Sequence, residues 1–139
     1  MEESIKIEEA IAKALKLEAV DPRTYSPLVL AYIGDAVYEL LIRTKVINHG
    51  SMQVNKMHKK SASLVKAETQ ANIIKAIQDD LTEEELAIYK RGRNAKSATT
   101  AKHATMMDYR MATGFEALVG YLYLQAQHDR LLELIRDGL

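Results

Sequence analysis

The chain contains no cysteine. That absence removes disulfides, zinc-thiolate sites and thiol nucleophiles, so any bound metal has to be held by oxygen or imidazole ligands. Such ligands favour Mg²⁺, with Mn²⁺ as a substitute. No run of eighteen apolar residues is present, and the N-terminal MEESIKIEEA is acidic and amphipathic where a signal peptide would be basic and then apolar. A cytoplasmic protein without membrane contact is therefore expected. Glycine and proline are also scarce, at six and two in 139 residues. No strand pattern competes with the helical spacing of the apolar positions, which predicts an all-α fold.

What is present is ordinary globular material, 47% hydrophobic and 27% charged. A chain of this length buries about two thirds of the surface its unfolded form exposes. Without an internal repeat or a linker, residues 1–139 read as one domain. The spacing predicts helices over about 4–17 and 27–44, two segments over 52–78 broken near Lys60, one from Thr82 to about Lys90, and a final pair over 114–127 and 128–136. Thr82 and Glu85 stand at capping-box spacing, with three glutamates in the first turn to meet the positive end of the helix dipole. RGRNAKSATT, with its glycine and small polar residues, reads as a mobile loop.

Net charge is zero, yet the charges are sorted. Leu40 to Ala67 and Leu86 to Met107 contain basic residues and no acidic one. Two such segments either form a face that attracts phosphate or provide a solvated surface.

The stretch LAYIGDAVYELLI, Leu30 to Ile42, carries only two charges, Asp35 and Glu39. On a helical wheel Val29, Ile33, Ala36, Val37, Leu40 and Leu41 form an apolar face expected to be core. Leu28, Ala31, Tyr38 and Ile42 make the opposite side apolar too, which places Asp35 between two packed layers. MATGFEALVGYLYLQAQ repeats the design around Glu116 and Gly120. A glycine within a helix costs about 1 kcal/mol relative to alanine, so Gly34 and Gly120 call for close helix contact. Such contact would bring the two acids together, and two carboxylates about 4 Å apart repel by about 4 kcal/mol at an effective dielectric of about 20. A cation or a shared proton then has to compensate, unless each acid pairs with a base such as Arg43 or Arg110, or caps a helix.

IGDAVYEL followed by FEALVGYLYL resembles the two signature segments of the ribonuclease III catalytic domain, with SASLVKAETQANI similar to the helix between them. RGRNAKS and YRMATGFEALVGYLYL are closest to the family's short bacterial branch, which has a catalytic domain and no double-stranded-RNA-binding domain. The resemblance runs from about Tyr25 to Leu124. It implies a dimeric fold of six to eight helices and Mg²⁺-dependent hydrolysis of double-stranded RNA, leaving 5′-phosphate and 3′-hydroxyl ends. In the short branch the substrate is precursor 23S ribosomal RNA, whose presentation can involve a ribosomal protein or particle.

By position, Asp35 and Glu116 match catalytic metal ligands of the family. Larger members carry two further acids, where this chain has Ala31 and Thr113. Glu39 is a candidate third ligand or one half of a salt bridge. Since A-form RNA hides its base edges in a deep groove, sugar-phosphate contacts are the available grip. Arg91, Arg93, Asn94 and Lys96, with Lys59, Lys60 and Lys102, are the candidates for it. Cutting both strands calls for two sites related by a dyad, hence a homodimer, with its contact expected at Tyr25 to Leu30 and Tyr32. The missing acids keep a second reading open: a non-catalytic RNA- or ribosome-binding module on the same fold.

Overall fold

The computed structural model describes residues 6–48, 50, 53–95 and 105–139. Among them are seven α-helices: α1 (Ile7–Ala14), α2 (Pro27–Ile47), α3 (Val54–Val65), α4 (Ala67–Ile77), α5 (Glu83–Asn94), α6 (Met106–Leu124) and α7 (His128–Gly138). No strand occurs among the described residues, so the all-α expectation holds. None of the helices is long and apolar enough to cross a membrane.

Helix α6 is the axis of the fold. From Met111 to Leu122 every residue except Glu116 is buried, because α2, α4, α5 and α7 all pack on it. Tyr38 of α2 meets Phe115 of α6 edge to face, ring centroids 5.4 Å apart. Burying each such large side chain contributes about 1.5–3 kcal/mol.

The face of α2 that enters this core is not the one expected from the wheel. Leu30, Ala31, Gly34, Tyr38, Ile42 and Val46 are buried, while Leu40 is 65% and Val29 46% exposed. Gly34 is the physical reason. A Cβ there would lie 1.8 Å from the Glu116 carbonyl oxygen, and one on Gly120 would lie 2.0 Å from the Leu30 carbonyl oxygen. The backbones of α2 and α6 thus touch at the two glycines, and the i, i+4 row through Gly34 turns inward. Asp35, one residue round the helix, is exposed rather than held between layers.

Helix α5 continues past Lys90 to Asn94, so Arg91, Arg93 and Asn94 occupy its last turn instead of a loop. Gly92 explains the difference: a Cβ there would sit 2.8 Å from the Gly114 Cα and from the Ala117 Cβ. The glycine is another close helix contact, not a turn signal. Helix α6 likewise begins earlier than expected. Thr105 Oγ1 accepts from the Asp108 backbone N–H at 3.0 Å and starts the helix at Met106. The break between α3 and α4 falls at Lys66, which is extended, rather than near Lys60.

The predicted capping box is formed. Thr82 Oγ1 accepts from the Glu85 N–H at 3.1 Å, and Glu85 Oε1 accepts from the Thr82 N–H at 2.9 Å. Glu85 is nonetheless buried, and Arg130 of α7 reaches both its oxygens, at 2.8 and 2.9 Å. A helix cap thereby becomes the anchor that fastens α7 to α5.

Candidate active site

Asp35 follows Gly34 on α2, and Glu116 lies one turn before Gly120 on α6. Because the helices cross in backbone contact at those glycines, the two carboxyls come close enough for Asp35 to disfavour the charged form of Glu116. Asp35 is exposed at the rim, and Glu116 is half-buried beside it. Among the described residues no lysine or arginine forms a salt bridge to either acid. Burial first, and then the adjacent Asp35, push the Glu116 carboxyl up to about 9, while the Gln70 amide favours the charged form. Tyr38 is close enough that the Glu116 charge adds to burial in raising its phenol.

Two oxygen-rich groups forced together without a neighbouring base are a donor set suited to a hard divalent cation. No group of three or more His, Cys, Asp or Glu residues able to hold a metal exists among the described residues. Mg²⁺ does not require one, since it commonly takes one or two carboxylates and completes its shell with water and substrate phosphate.

Glu39 does not join the pair. Arg43, one turn on, holds its Oε1 at 2.7 Å through Nη2 and 3.1 Å through Nε. At the positions where larger relatives were expected to carry acids, Ala31 and Thr113 are packed inside, and Thr113 Oγ1 donates to the Tyr109 carbonyl at 3.0 Å.

One residue the sequence did not single out completes the setting. Gln70 of α4 is buried; its Nε2 donates to the Val65 carbonyl at 2.7 Å, and its Oε1 has no partner. An unmade bond of that kind costs about 1–3 kcal/mol. Its only signal in the sequence is register, since it lies on the same face of α4 as Ile73, Ile74 and Ile77.

Of the candidate RNA contacts, Arg91, Asn94, Lys59 and Lys60 are exposed. Arg93 is half-buried, its guanidinium 5.7 Å from the centre of the Tyr89 ring and its Nε donating to Asn94 Oδ1 at 3.2 Å. Lys96 and Lys102 lie outside the described residues.

The model of the Ribonuclease III domain family matches residues 28–127, which include both acids and both glycines of the crossing. The chain belongs to the ribonuclease III family. A Clostridium tetani protein named Mini-ribonuclease 3 is 54% identical over 117 residues, 84% of this chain and 78% of that relative. A Brevibacillus brevis protein of the same name is 47% identical over 118 residues, covering 85% and 88%. A crystal structure of a Fusobacterium nucleatum protein superposes with a TM-score of 0.77 at 36% identity, covering 85% of this chain and 94% of that one. Membership of the ribonuclease III family makes the chain an endoribonuclease acting on double-stranded RNA.

Proposed function

We propose that residues 1–139 act as one catalytic domain that hydrolyses double-stranded RNA at a Mg²⁺ site made by Asp35 and Glu116. The observation carrying the proposal is the glycine-to-glycine crossing of α2 and α6, which joins two carboxyls 81 positions apart in sequence and leaves them without a basic partner among the described residues.

The reaction adds water to phosphorus and breaks the bond to the 3′ oxygen, leaving a 5′-phosphate and a 3′-hydroxyl. A bound Mg²⁺ supplies positive charge against the anionic transition state and lowers the pKa of water. The chain's own part is to bind and orient. Asp35 offers a solvent-facing carboxylate at the mouth of the site, and half-buried Glu116 offers one from below, held fixed by the most tightly packed helix of the fold. Exposed Arg91, Asn94, Lys59 and Lys60, with Arg93 steadied by Tyr89, supply contacts to sugar and phosphate; Lys96 and Lys102 are proposed for the same role. Glu39, already matched by Arg43, has the weaker claim as a ligand.

The active form is proposed to be a homodimer, which gives two sites for two strands. Tyr32, 82% exposed on α2, with Leu28 and Val29, supports a contact on this side. Leu30 belongs to the core instead. The proposed substrate is precursor 23S ribosomal RNA where its ends pair, in the cytoplasm, with a ribosomal protein or particle as a further partner.

Incubation with a duplex RNA, with and without Mg²⁺, tests this. The native chain should cut only with Mg²⁺, and Asp35→Asn should abolish cutting while folding and RNA binding persist. Cutting by the variant at the native rate would reject the site. RNA binding by the native chain with no cutting would instead select the non-catalytic module, a reading supported by the inward-packed Ala31 and Thr113.

A further inference from the structure

Asp35, Glu39 and Arg43 stand at i, i+4 and i+8 on α2, a strip of one helix face that leads away from the two carboxyls. At about 1.5 Å per residue, Arg43 lies about 12 Å along the axis from Asp35. Its guanidinium has a fixed direction. Nη2 and Nε both donate to the same oxygen of Glu39, Oε1, at 2.7 and 3.1 Å. Those bonds occupy Nε and one proton of Nη2, so Nη1 and the second Nη2 proton remain to donate. Among the described residues nothing else pairs with them.

As a fastener of the fold the pair does little, because its side chains are 57% and 37% exposed and a solvated i, i+4 ion pair contributes little to stability. Its surroundings suit an anion. The Tyr38 hydroxyl donates to the Leu64 carbonyl at 2.7 Å and ties α2 to α3. Toward the C-terminal end of α2 the same two helices leave a cavity of about 210 Å³ between them. Arg43 lines it from α2, and His58 and Ser61, each with a polar group able to donate, line it from α3; aliphatic side chains and Met57 make up the rest. Glu39 is the last acid before a run from Leu40 to Ala67 that has none, and Lys56, Lys59 and Lys60 are exposed on α3.

We infer that Arg43, aimed by Glu39, binds a backbone phosphate of the duplex near the one that reacts. A guanidinium held in one direction presents its remaining donors as a fork that matches phosphate oxygens. The acid in this strip then has a use that is not metal binding: it orients the cation. The inference rests on the site proposed above for which phosphate reacts, while the contact itself requires no metal.

The test is binding in EDTA, where nothing is cut, to a short RNA duplex in which one phosphate at a time is replaced by an uncharged methylphosphonate. The native chain should lose about tenfold in affinity at a phosphate near the point of cleavage. Arg43→Gln should bind unmodified duplex more weakly, with a salt slope smaller by about 1, and should be indifferent to that same replacement. Glu39→Gln combined with Arg43→Gln separates contact from neutralisation: the double variant should remain weak and indifferent. Native affinity in the double variant would mean that Arg43 only cancels Glu39, and would overturn the inference. Full sensitivity of Arg43→Gln at every phosphate would overturn it as well. So would conversion of a dimer to a monomer by Arg43→Gln in sedimentation, which would make the pair part of a contact between copies of the chain. If Asp35→Asn cuts at the native rate while Arg43→Gln loses its sensitivity at one phosphate, the Arg43 contact stands and the Asp35 site falls.

Discussion

Replacing Gly34 by alanine is the smallest change that tests whether one helix crossing builds both the fold and the site. The added Cβ would stand 1.8 Å from the Glu116 carbonyl oxygen, 2.7 Å from its carbonyl carbon and 2.8 Å from the Gly120 nitrogen, all backbone atoms that cannot rotate away. Restoring ordinary contact at 3.4 Å requires α2 and α6 to part by about 1.5 Å at the crossing. Overpacking of this kind costs about 1–3 kcal/mol, and opening of the surrounding core adds to it. Alanine's better helix propensity returns only about 1 kcal/mol. We therefore expect a net loss of about 2 kcal/mol in urea denaturation. The same separation moves Asp35 relative to Glu116, and a misplacement of about 1 Å in a catalytic constellation can cost about 10²-fold in rate. Duplex RNA cleavage by the folded variant at saturating Mg²⁺ should fall by about that factor. Native stability together with native cleavage in Gly34→Ala would refute the crossing as the element that sets the site.

Glu116 makes the metal-free protein sensitive to pH. Its folded carboxyl, raised to about 9 by burial and by Asp35, holds its proton more tightly than the unfolded chain does. Its contribution is thus fully present below the unfolded value and is lost as pH rises through the folded one, by up to about 1.4 kcal/mol per pH unit between. In EDTA the native chain should be less stable to urea at pH 8 than at pH 5.5, and Glu116→Gln should flatten that difference; an unchanged difference would contradict the assignment. Arg130→Ala leaves Glu85 buried without its guanidinium and should destabilise by about 3 kcal/mol in the same assay, without raising the Mg²⁺ requirement of the folded fraction. Arg91→Ala combined with Arg93→Ala should weaken RNA binding and reduce its salt slope by about 1 for each phosphate no longer neutralised, whereas an unchanged slope would return this turn of α5 to ordinary surface. Sedimentation at micromolar concentration should show a dimer, and Tyr32→Glu should give the 15.6 kDa monomer.

The sequence is most legible where a residue type has one physical use. Thr82 and Glu85 form their reciprocal cap, and Gly34 and Gly120 mark a backbone contact that brings Asp35 and Glu116 together. It misleads where a residue has two uses. Gly92, which suggests a loop, is a third point of helix contact, so α5 extends four residues further than expected. On α2, apolarity alone qualifies both sides of the helix for burial. The glycine, which has no side chain to weigh, decides which side is buried. The burial of Gln70 with an unpartnered Oε1 could not be read because it depends on how α4 packs against α6, a relation no local spacing encodes.

The most direct measurement is the anomalous signal of Mn²⁺ in crystals of the native chain. A peak bonded to carboxylate oxygens of both Asp35 and Glu116, and missing in Asp35→Asn, is the predicted result. A Mn²⁺ peak elsewhere, with none at the two carboxyls, would contradict the account.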